Sequence, residues 1–537
     1  MSHARQVAAS LRVAASNGGI RRAELAWGAT ISAEWAHFVA LGVFAYGHGG
    51  STAVGVAGVV RLLPAAVIAP FASSLGDRFR RERFLVGVGF VGSAALALSA
   101  IGALVDARII VFGSAAAVGV CSTLFRPALM ALLPSLARTA QELIAANAAT
   151  STIESLGTLA GPLAAGVLVA FADVTTVFVL AALALLASAA VVARVSVEGG
   201  VSMPSTDAGL GVWQGLEAIK HAPHARLLVG LIAAQTFIRG CLNVFLVVTS
   251  YQILDRGPSG VGYLTAALGA GGLIGALGGV SLRGARLAPP FALGLVFWGV
   301  PIMLLAPLSY PATVLLLLAA VGAANSIVDI AGFTLLQRTV PDAVLTRVLG
   351  VTWGLAMGAV AVGSAVAPAL LRLVGLRPAF IIVGAVLPVL VVLIYRRLNT
   401  IDAQVAPSEQ LSLVEAVTLF APLSLVAKQQ IASRLVPLKF ASGEVVFGAG
   451  TIGDRFYIID AGSVEIELVS RTLQAGPGAF FGEIALLRDV PRTATVRADS
   501  ETRLYTLDRA DFLTAVTGHP ATHTKANAVA ATRIAST

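Results

Sequence analysis

Twelve apolar stretches, each about as long as a bilayer core is thick, fill the first 400 residues, and a chain carrying them can bury them in little besides lipid. They lie near 24–46, 53–75, 84–105, 109–133, 148–171, 174–195, 227–251, 260–282, 290–310, 312–335, 348–371 and 379–395. A helix satisfies its own backbone polar groups, so each stretch is predicted to be a spanning helix. Composition agrees: 57% of the 537 residues are hydrophobic and 12% charged, against roughly a quarter charged in soluble domains.

The charges are segregated. Before residue 400 there are 25 Lys/Arg against 14 Asp/Glu, and from 400 onward 12 against 14. The basic excess therefore belongs to the apolar part, which points to loops facing anionic membrane lipid and not to a nucleic-acid partner. Cys121 and Cys241 each sit inside an apolar stretch. Neither a disulfide framework nor a CxxC metal site is available to them, so both read as small packing residues.

Loop charges test the span count independently, because cytoplasmic loops collect Lys and Arg. Arg78, Arg80, Arg81 and Arg83 follow the second stretch, Arg138 the fourth, Arg194, Lys220 and Arg226 the sixth. Arg283 and Arg286 follow the eighth, Arg338 and Arg347 the tenth, Arg396 and Arg397 the twelfth. The alternate loops hold only Arg108, Arg256, Arg372 and Arg377. Residues 1–22 are polar and basic, with no cleavable signal peptide, so both termini are expected in the cytoplasm.

A shift of 203 residues aligns GVCSTLFRPALMALLPSLA (119–137) with GAANSIVDIAGFTLLQRTV (322–340) without a gap. That offset is the distance between the fourth and tenth stretches, as expected for two six-span halves in parallel. The polar segment between the halves ends in GVWQGLEAIKH, a candidate amphipathic helix at the membrane surface. Beyond Arg396 and Arg397 the composition changes abruptly. A helix is predicted over about 411–434, then brief strands within RFYIIDAG, SVEIELV, TATVRA and RLYTLD, punctuated by Gly443, Gly450, Gly453, Gly462, Gly476, Gly478 and Gly482. Alternation of apolar and polar residues at this density predicts a small β-barrel.

The fold class expected is thus an all-α membrane protein, twelve transmembrane helices in two six-helix pseudo-symmetric halves, with a C-terminal α+β domain on a small β-barrel. The expected boundaries are a cytoplasmic segment 1–23, one half at 24–195, an inter-half loop at 196–226, the other half at 227–398, a linker at 399–410 and the barrel domain at 411–537.

The sharpest motif is FFGEIALLRDVPRTATVRA (480–498). A glycine before a short helical turn lets backbone N–H groups approach an anionic phosphate, and the helix N-terminus adds favourable potential. Gly482, Ile484 and Ala485 would form that cradle, while Arg492 offers a charge-assisted fork. The segment resembles the phosphate-binding cassette of cyclic-nucleotide-binding domains, with the spacing F-G-E-x-A-L-x(5)-P-R-x-A, and the resemblance runs from about Leu419 to Pro520. It implies that Arg492 binds the cyclic phosphate and that Glu483 accepts from the ribose 2′-hydroxyl. Thr493 matches the hydroxyl that helps many members hold cyclic GMP; cyclic AMP is the default ligand. The tail HPATHTKANAVAATRIAST is short and holds no aromatic to close the base site, where the family usually places a later helix.

Residues 20–398 resemble the major facilitator superfamily, especially bacterial multidrug and siderophore exporters. SSLGDRFRRERF (73–84) matches the superfamily loop G-x-L-A-D-R-x-G-R-R at Asp77, Arg78 and Arg81, with Ser73 and Arg80 in place of glycines. In the family this segment latches the two halves. The second-half counterpart, GGVSLRGARLA (278–288), lacks the aspartate. GTLAGPLAAG (157–166), with Gly157, Gly161 and Pro162, matches a pattern associated in the superfamily with antiporters; ordinary small-residue packing is the alternative.

A charge near mid-bilayer costs about 2.5 to 3.5 kcal/mol on insertion scales, so ionisable residues inside spans call for a function. Glu34 and His37 lie in the first stretch, Arg61 in the second, Arg126 in the fourth, Glu154 in the fifth, Arg239 in the seventh and Asp329 in the tenth. The 203-residue shift puts Arg126 on Asp329, and a shift of 205 puts Glu34 on Arg239. The expectation is that Glu34 pairs with Arg126 and Asp329 with Arg239, with His37 one turn away able to share the Glu34 proton; two static salt bridges are the alternative. The function expected is a proton-coupled exporter of small amphipathic molecules in the bacterial inner membrane, without a cofactor, regulated by cyclic AMP or cyclic GMP. The alternatives are a cyclic-nucleotide-gated channel and a membrane-anchored receptor that transports nothing. The channel is disfavoured by the lack of a TVGYG-like filter, and an enzyme by the lack of a Gly-rich NTP loop or nucleophile elbow. Oligomeric state is silent in the sequence.

Overall fold

The computed structural model describes residues 16–71, 80–136, 140–195, 208–279, 287–308, 310–340, 342–402, 408–421, 423, 425–468, 471–517, 526–529, 531 and 533. Asp77, Arg78, Arg138, Arg283 and Arg286 lie outside them, as do residues 196–207 of the expected inter-half loop. The chain divides into two compact units that part between Arg396 and Arg397.

The first unit is helical: α1 Gly18–Ile68, α2 Arg81–Leu104, α3 Arg108–Leu136, α4 Ala140–Phe171, α5 Val174–Val192, α6 Ala208–His221, α7 Pro223–Gln252, α8 Gly257–Gly279, α9 Ala288–Leu304, α10 Pro311–Thr339, α11 Asp342–Val374 and α12 Leu376–Asp402. Among the described residues ten helices are long and apolar enough to cross a membrane, and α9 is apolar but shorter. The stretch expected at 24–46 and the described part of that at 53–75 as far as Ile68 form one helix, α1, with a 3-10 turn at Ala69–Phe71 after it. Helix α1 breaks at Gly49 and Gly50, where Gly50 takes φ 58° and ψ −149°, a conformation essentially closed to residues with a Cβ. Two arms therefore meet with almost no loop between them. The candidate surface helix is present as α6, with Trp213 exposed.

Local signals set the helix starts. The Asn17 side chain accepts from the backbone N–H of Gly19 and Ile20 and donates to Leu136 O and Glu142, tying the start of α1 to α3 and α4. Asp173 caps α5 through Thr176, and those hydrogen bonds hold its carboxyl below the usual range. Pro223 and Pro311 open α7 and α10, where a missing N–H costs nothing.

Helices approach closely where glycine removes the side chain. A Cβ on Gly161 would stand 2.5 Å from Ser32 O, so α4 lies almost backbone to backbone on α1. Buried hydroxyls add interhelical hydrogen bonds, as between Thr30 and Ser188 at 2.9 Å and Ser99 and Ser114 at 2.7 Å.

The second unit starts with α13 Ser408–Ala416, a 3-10 turn at Thr418–Phe420 and α14 Leu425–Arg434. The single helix expected over 411–434 is thus interrupted, with Phe420 of the turn fully buried between the two pieces. Strands β1 Val436–Phe440, β2 Val445–Phe447, β3 Arg455–Ala461, β4 Val464–Glu467, β5 Thr472–Ala475, β6 Phe480–Phe481, β7 Thr495–Ala498 and β8 Thr502–Asp508 form two antiparallel sheets, β1-β8-β3-β6 and β2-β7-β4-β5. Helix α15 Glu483–Arg488 sits between β6 and β7, and α16 Arg509–Thr517 follows β8.

Strand alternation sorts the core into two. Phe456 and Ile458 of β3 join Phe480, Phe420 and Phe512 against the helices, with Phe456 stacked on Phe512 at 4.8 Å. Tyr457 and Ile459 point the other way, into the barrel with Phe481, Val496 and Leu504. Adjacent residues Phe480 and Phe481 thus serve opposite faces just before the glycine that opens the candidate ligand site.

Candidate functional site

Gly482 follows β6 with φ 88°, the left-handed conformation that turns the chain into α15. A Cβ here would lie 2.7 Å from Arg492 Nη1, so the glycine also makes room for the guanidinium. Glu483 is buried, Ala485 is buried and Ile484 half-buried.

Arg492 reaches this turn from the loop before β7. Nη1 donates to Gly482 O at 2.9 Å and Nη2 to Arg455 O at 2.8 Å, while Asp454 Oδ1 stands 3.9 Å away. Its guanidinium lies 4.2 Å from the Phe447 ring centroid and 5.6 Å from that of Tyr457. Its Nε is buried without a hydrogen-bond partner among the described residues. Burial lowers the guanidinium's affinity for its proton and pushes the Tyr457 hydroxyl up. The sequence-predicted set Gly482, Glu483, Ile484, Ala485 and Arg492 is brought together around one turn. Thr493 follows Arg492 with its side chain exposed.

Sequence reasoning missed Arg533. Its Nη1 donates to Glu483 Oε1 at 2.8 Å and to Phe480 O at 3.1 Å, and the guanidinium stacks 4.5 Å from the Phe480 ring centroid. Burial raises the Glu483 carboxyl above the ordinary glutamate range; Arg533 opposes that shift, and Arg492 does so more weakly. The available signal was an arginine in an otherwise uncharged stretch after Lys525.

In the first unit the charged residues are paired differently from expectation. Glu34 bonds Arg61 at 3.1 Å, not Arg126, and Arg126 bonds Glu154 at 3.0 Å. Both arms of α1 contribute to the first pair, so the sharp break at Gly49–Gly50 brings Arg61 back alongside Glu34. Arg61 also lies over Phe38 at 5.4 Å. Asp329 and Arg239 form no ion pair among the described residues. Asp329 accepts from Asn325 at 2.8 Å, and Arg239 lies over the Trp35 ring at 6.0 Å. His37 is buried against Phe178 at 5.6 Å with neither ring nitrogen hydrogen-bonded among the described residues, so proton sharing with Glu34 is not seen here.

Of the conformational motifs, Arg81 is the first residue of α2. Gly157 and Gly161 face α1, where a Cβ would strike Ile31 and Ser32, and Pro162 sits inside α4. That is close small-residue packing.

Comparison with known proteins assigns each unit. The family model described as Major Facilitator Superfamily matches residues 27–353, and that described as cyclic nucleotide-binding domain matches 437–519. A putative potassium channel protein of Rhodopseudomonas palustris is 40% identical over 122 residues, 22% of this chain and 30% of its own. A cyclic nucleotide-gated potassium channel of Rhizobium etli is 38% identical over 100 residues, 19% and 28%. A cAMP-dependent protein kinase regulatory subunit of Yarrowia lipolytica is 40% identical over 110 residues, 20% and 29%. The chain therefore spans less than a third of the length of these relatives.

Proposed function

The chain belongs to the Major Facilitator Superfamily, fused to a cyclic-nucleotide-binding domain, and from that premise we propose that it is a secondary active transporter whose cycle is biased by a bound cyclic nucleotide. The observation that carries the regulatory half is the Gly482 turn, where a buried arginine and a buried glutamate meet at the spacing of the cassette. In this reading Arg492 exchanges its two carbonyl acceptors for the cyclic phosphate, Gly482, Ile484 and Ala485 lend backbone N–H groups, and Glu483 takes the ribose hydroxyl. Cyclic AMP is the favoured ligand, with Thr493 available to a guanine base.

Twelve spans in two halves follow if each arm of α1 crosses the membrane and the short α9 counts as a span. Six spans per half leave both termini on one side, taken as the cytoplasm by the Lys/Arg bias of the loops. Proton coupling rests on the Glu34–Arg61 pair: protonating Glu34 frees a cation in a site of low dielectric, which favours rearrangement. Export, and an antiport cycle, rest on the Gly157–Gly161–Pro162 pattern. A nucleotide shifts the equilibrium between inward- and outward-open states only by its difference in affinity for the two, of order 1 to 3 kcal/mol.

Purified full-length protein in proteoliposomes provides the test. Dye efflux driven by a pH gradient, changed by cyclic AMP and unaccompanied by ionic current, is the result expected. Current without solute flux identifies a channel, and nucleotide binding with neither identifies a receptor.

A further inference from the structure

The charges inside the first unit are unevenly compensated. Glu34 has Arg61, and Arg126 has Glu154. Their counterparts at offsets of 205 and 203 residues, Arg239 and Asp329, have no ion-pair partner among the described residues. Offsets of 203 and 205 from Arg61 lead to Leu264 and Ala266, and from Glu154 to Met357 and Ala359. The second half of the chain keeps the two charges and drops both residues that would cancel them.

The Asp329 carboxylate is held in place. Asn325 donates to Asp329 Oδ2 at 2.8 Å, while its own oxygen accepts from Gln235 Nε2 at 2.8 Å and Trp298 Nε1 at 3.2 Å. Three helices thus fix the carboxylate, whose residue is exposed to open space in the structure. Arg239 is half-buried over the Trp35 ring. Gln235 and Arg239 stand one turn apart on α7, as Asn325 and Asp329 do on α10, so the Gln235–Asn325 hydrogen bond brings both charges within a turn of the same α7–α10 contact.

Two opposite charges that flank one helix contact without an ion-pair partner among the described residues suit an occupant that ends on both. A singly charged molecule leaves one pole uncompensated, and a neutral one leaves both. We propose that Arg239 and Asp329 are the two poles of a binding site for a zwitterionic organic molecule, its carboxylate on Arg239, its protonated amine on Asp329 and its apolar or aromatic body on Trp35. Asn325 is a positioning residue that orients the Asp329 carboxylate. The proposal rests on the transporter reading for the identity of this space as a transport path.

Binding is measured by calorimetry on the full-length protein in detergent, which needs no transport. The probes are 4-(aminomethyl)benzoate and phenylalanine, each beside its methyl ester, which keeps only the amine, and its N-acetyl form, which keeps only the carboxylate. At least one zwitterion is expected to bind about tenfold or more tightly than either of its blocked forms. In Arg239→Gln the ester should match the parent, and in Asp329→Asn the N-acetyl form should match it. Trp35→Phe should quench less on binding, and a monodisperse elution profile with a wild-type helical circular-dichroism melt reports that each variant is folded. Equal binding of blocked and parent forms, no binding of any probe to wild type, or uniform weakening in both charge variants overturns the proposal. Dye flux without zwitterion selectivity removes this site and leaves the transporter reading standing; selective binding without any flux does the reverse.

Discussion

Arg533, 50 residues beyond Glu483, grips its carboxylate at 2.8 Å and the carbonyl of Phe480 at 3.1 Å with the same nitrogen. The residue assigned to the ribose hydroxyl is therefore already neutralised by a side chain from the tail. Burial raises its pKa and Arg533 draws it back down.

That balance has a sign. An acid with a raised pKa is mostly ionised only above that value, and the ionised form accepts the ribose hydroxyl in the stronger, charge-assisted bond. Cyclic AMP affinity is expected to fall as pH falls, with the fall beginning above the ordinary glutamate value of about 4.3. Arg533→Ala should move the fall to higher pH. Calorimetric titrations at a series of pH values check both, and an unchanged profile in the variant would count against the assigned role of Glu483.

Arg492→Ala should weaken cyclic AMP binding by about 2 to 5 kcal/mol, some 30-fold or more, because one partner of a buried charged contact is lost. The same change strips the carbonyls of Gly482 and Arg455 of their donor. A drop in domain stability of about 1 to 3 kcal/mol should accompany it. Lysine cannot reproduce the fork, so Arg492→Lys should recover only part of the affinity. Equilibrium binding and thermal denaturation separate the two effects.

Glu34→Gln should abolish pH-driven flux in vesicles while leaving counterflow at constant pH. Arg61→Met alone leaves the half-buried Glu34 without its ion-pair partner and should lower the melting temperature, whereas Glu34→Gln combined with Arg61→Met should recover most of that loss. Melting temperatures of the four proteins close the cycle. Retained pH-driven flux in Glu34→Gln would show that the pair is only structural.

Gly161→Ala should destabilise by about 1 to 3 kcal/mol, because the added methyl meets the Ser32 carbonyl at 2.5 Å. Gly230→Ala, in the exposed part of α7 with nothing within 4 Å, should be neutral or stabilising by up to about 1 kcal/mol. Comparing the two melting temperatures tests whether α4 and α1 touch through their backbones.

Hydropathy alone located the long apolar helices, since a 20-residue apolar run has few other fates in water and lipid, but it did not show that the first two stretches join in α1 or that α9 is short. Strands β3, β4, β7 and β8 were legible for a similar reason, whereas β1, β2, β5 and β6 were not named: in β3 the alternation of Phe456, Tyr457, Ile458 and Ile459 assigns each side chain to a face. Pairing between helices was not legible. Glu34 prefers Arg61 over Arg126 because a glycine break folds α1 back on itself, and no periodicity within a span carries that information. Nor could the cassette motif announce Arg533, which reaches Glu483 through tertiary structure. The interruption of the 411–434 helix escaped notice because Leu419 and Phe420 read as helical apolar residues, whereas the core takes both from a 3-10 turn.

The break in α1 has a practical consequence. Where Gly49 and Gly50 break the helix, the two arms share a bend instead of a projecting segment, so proteases and antibodies should find little to seize there. An epitope tag introduced there must create its own foothold, and it does so at the one residue where the backbone geometry admits no side chain.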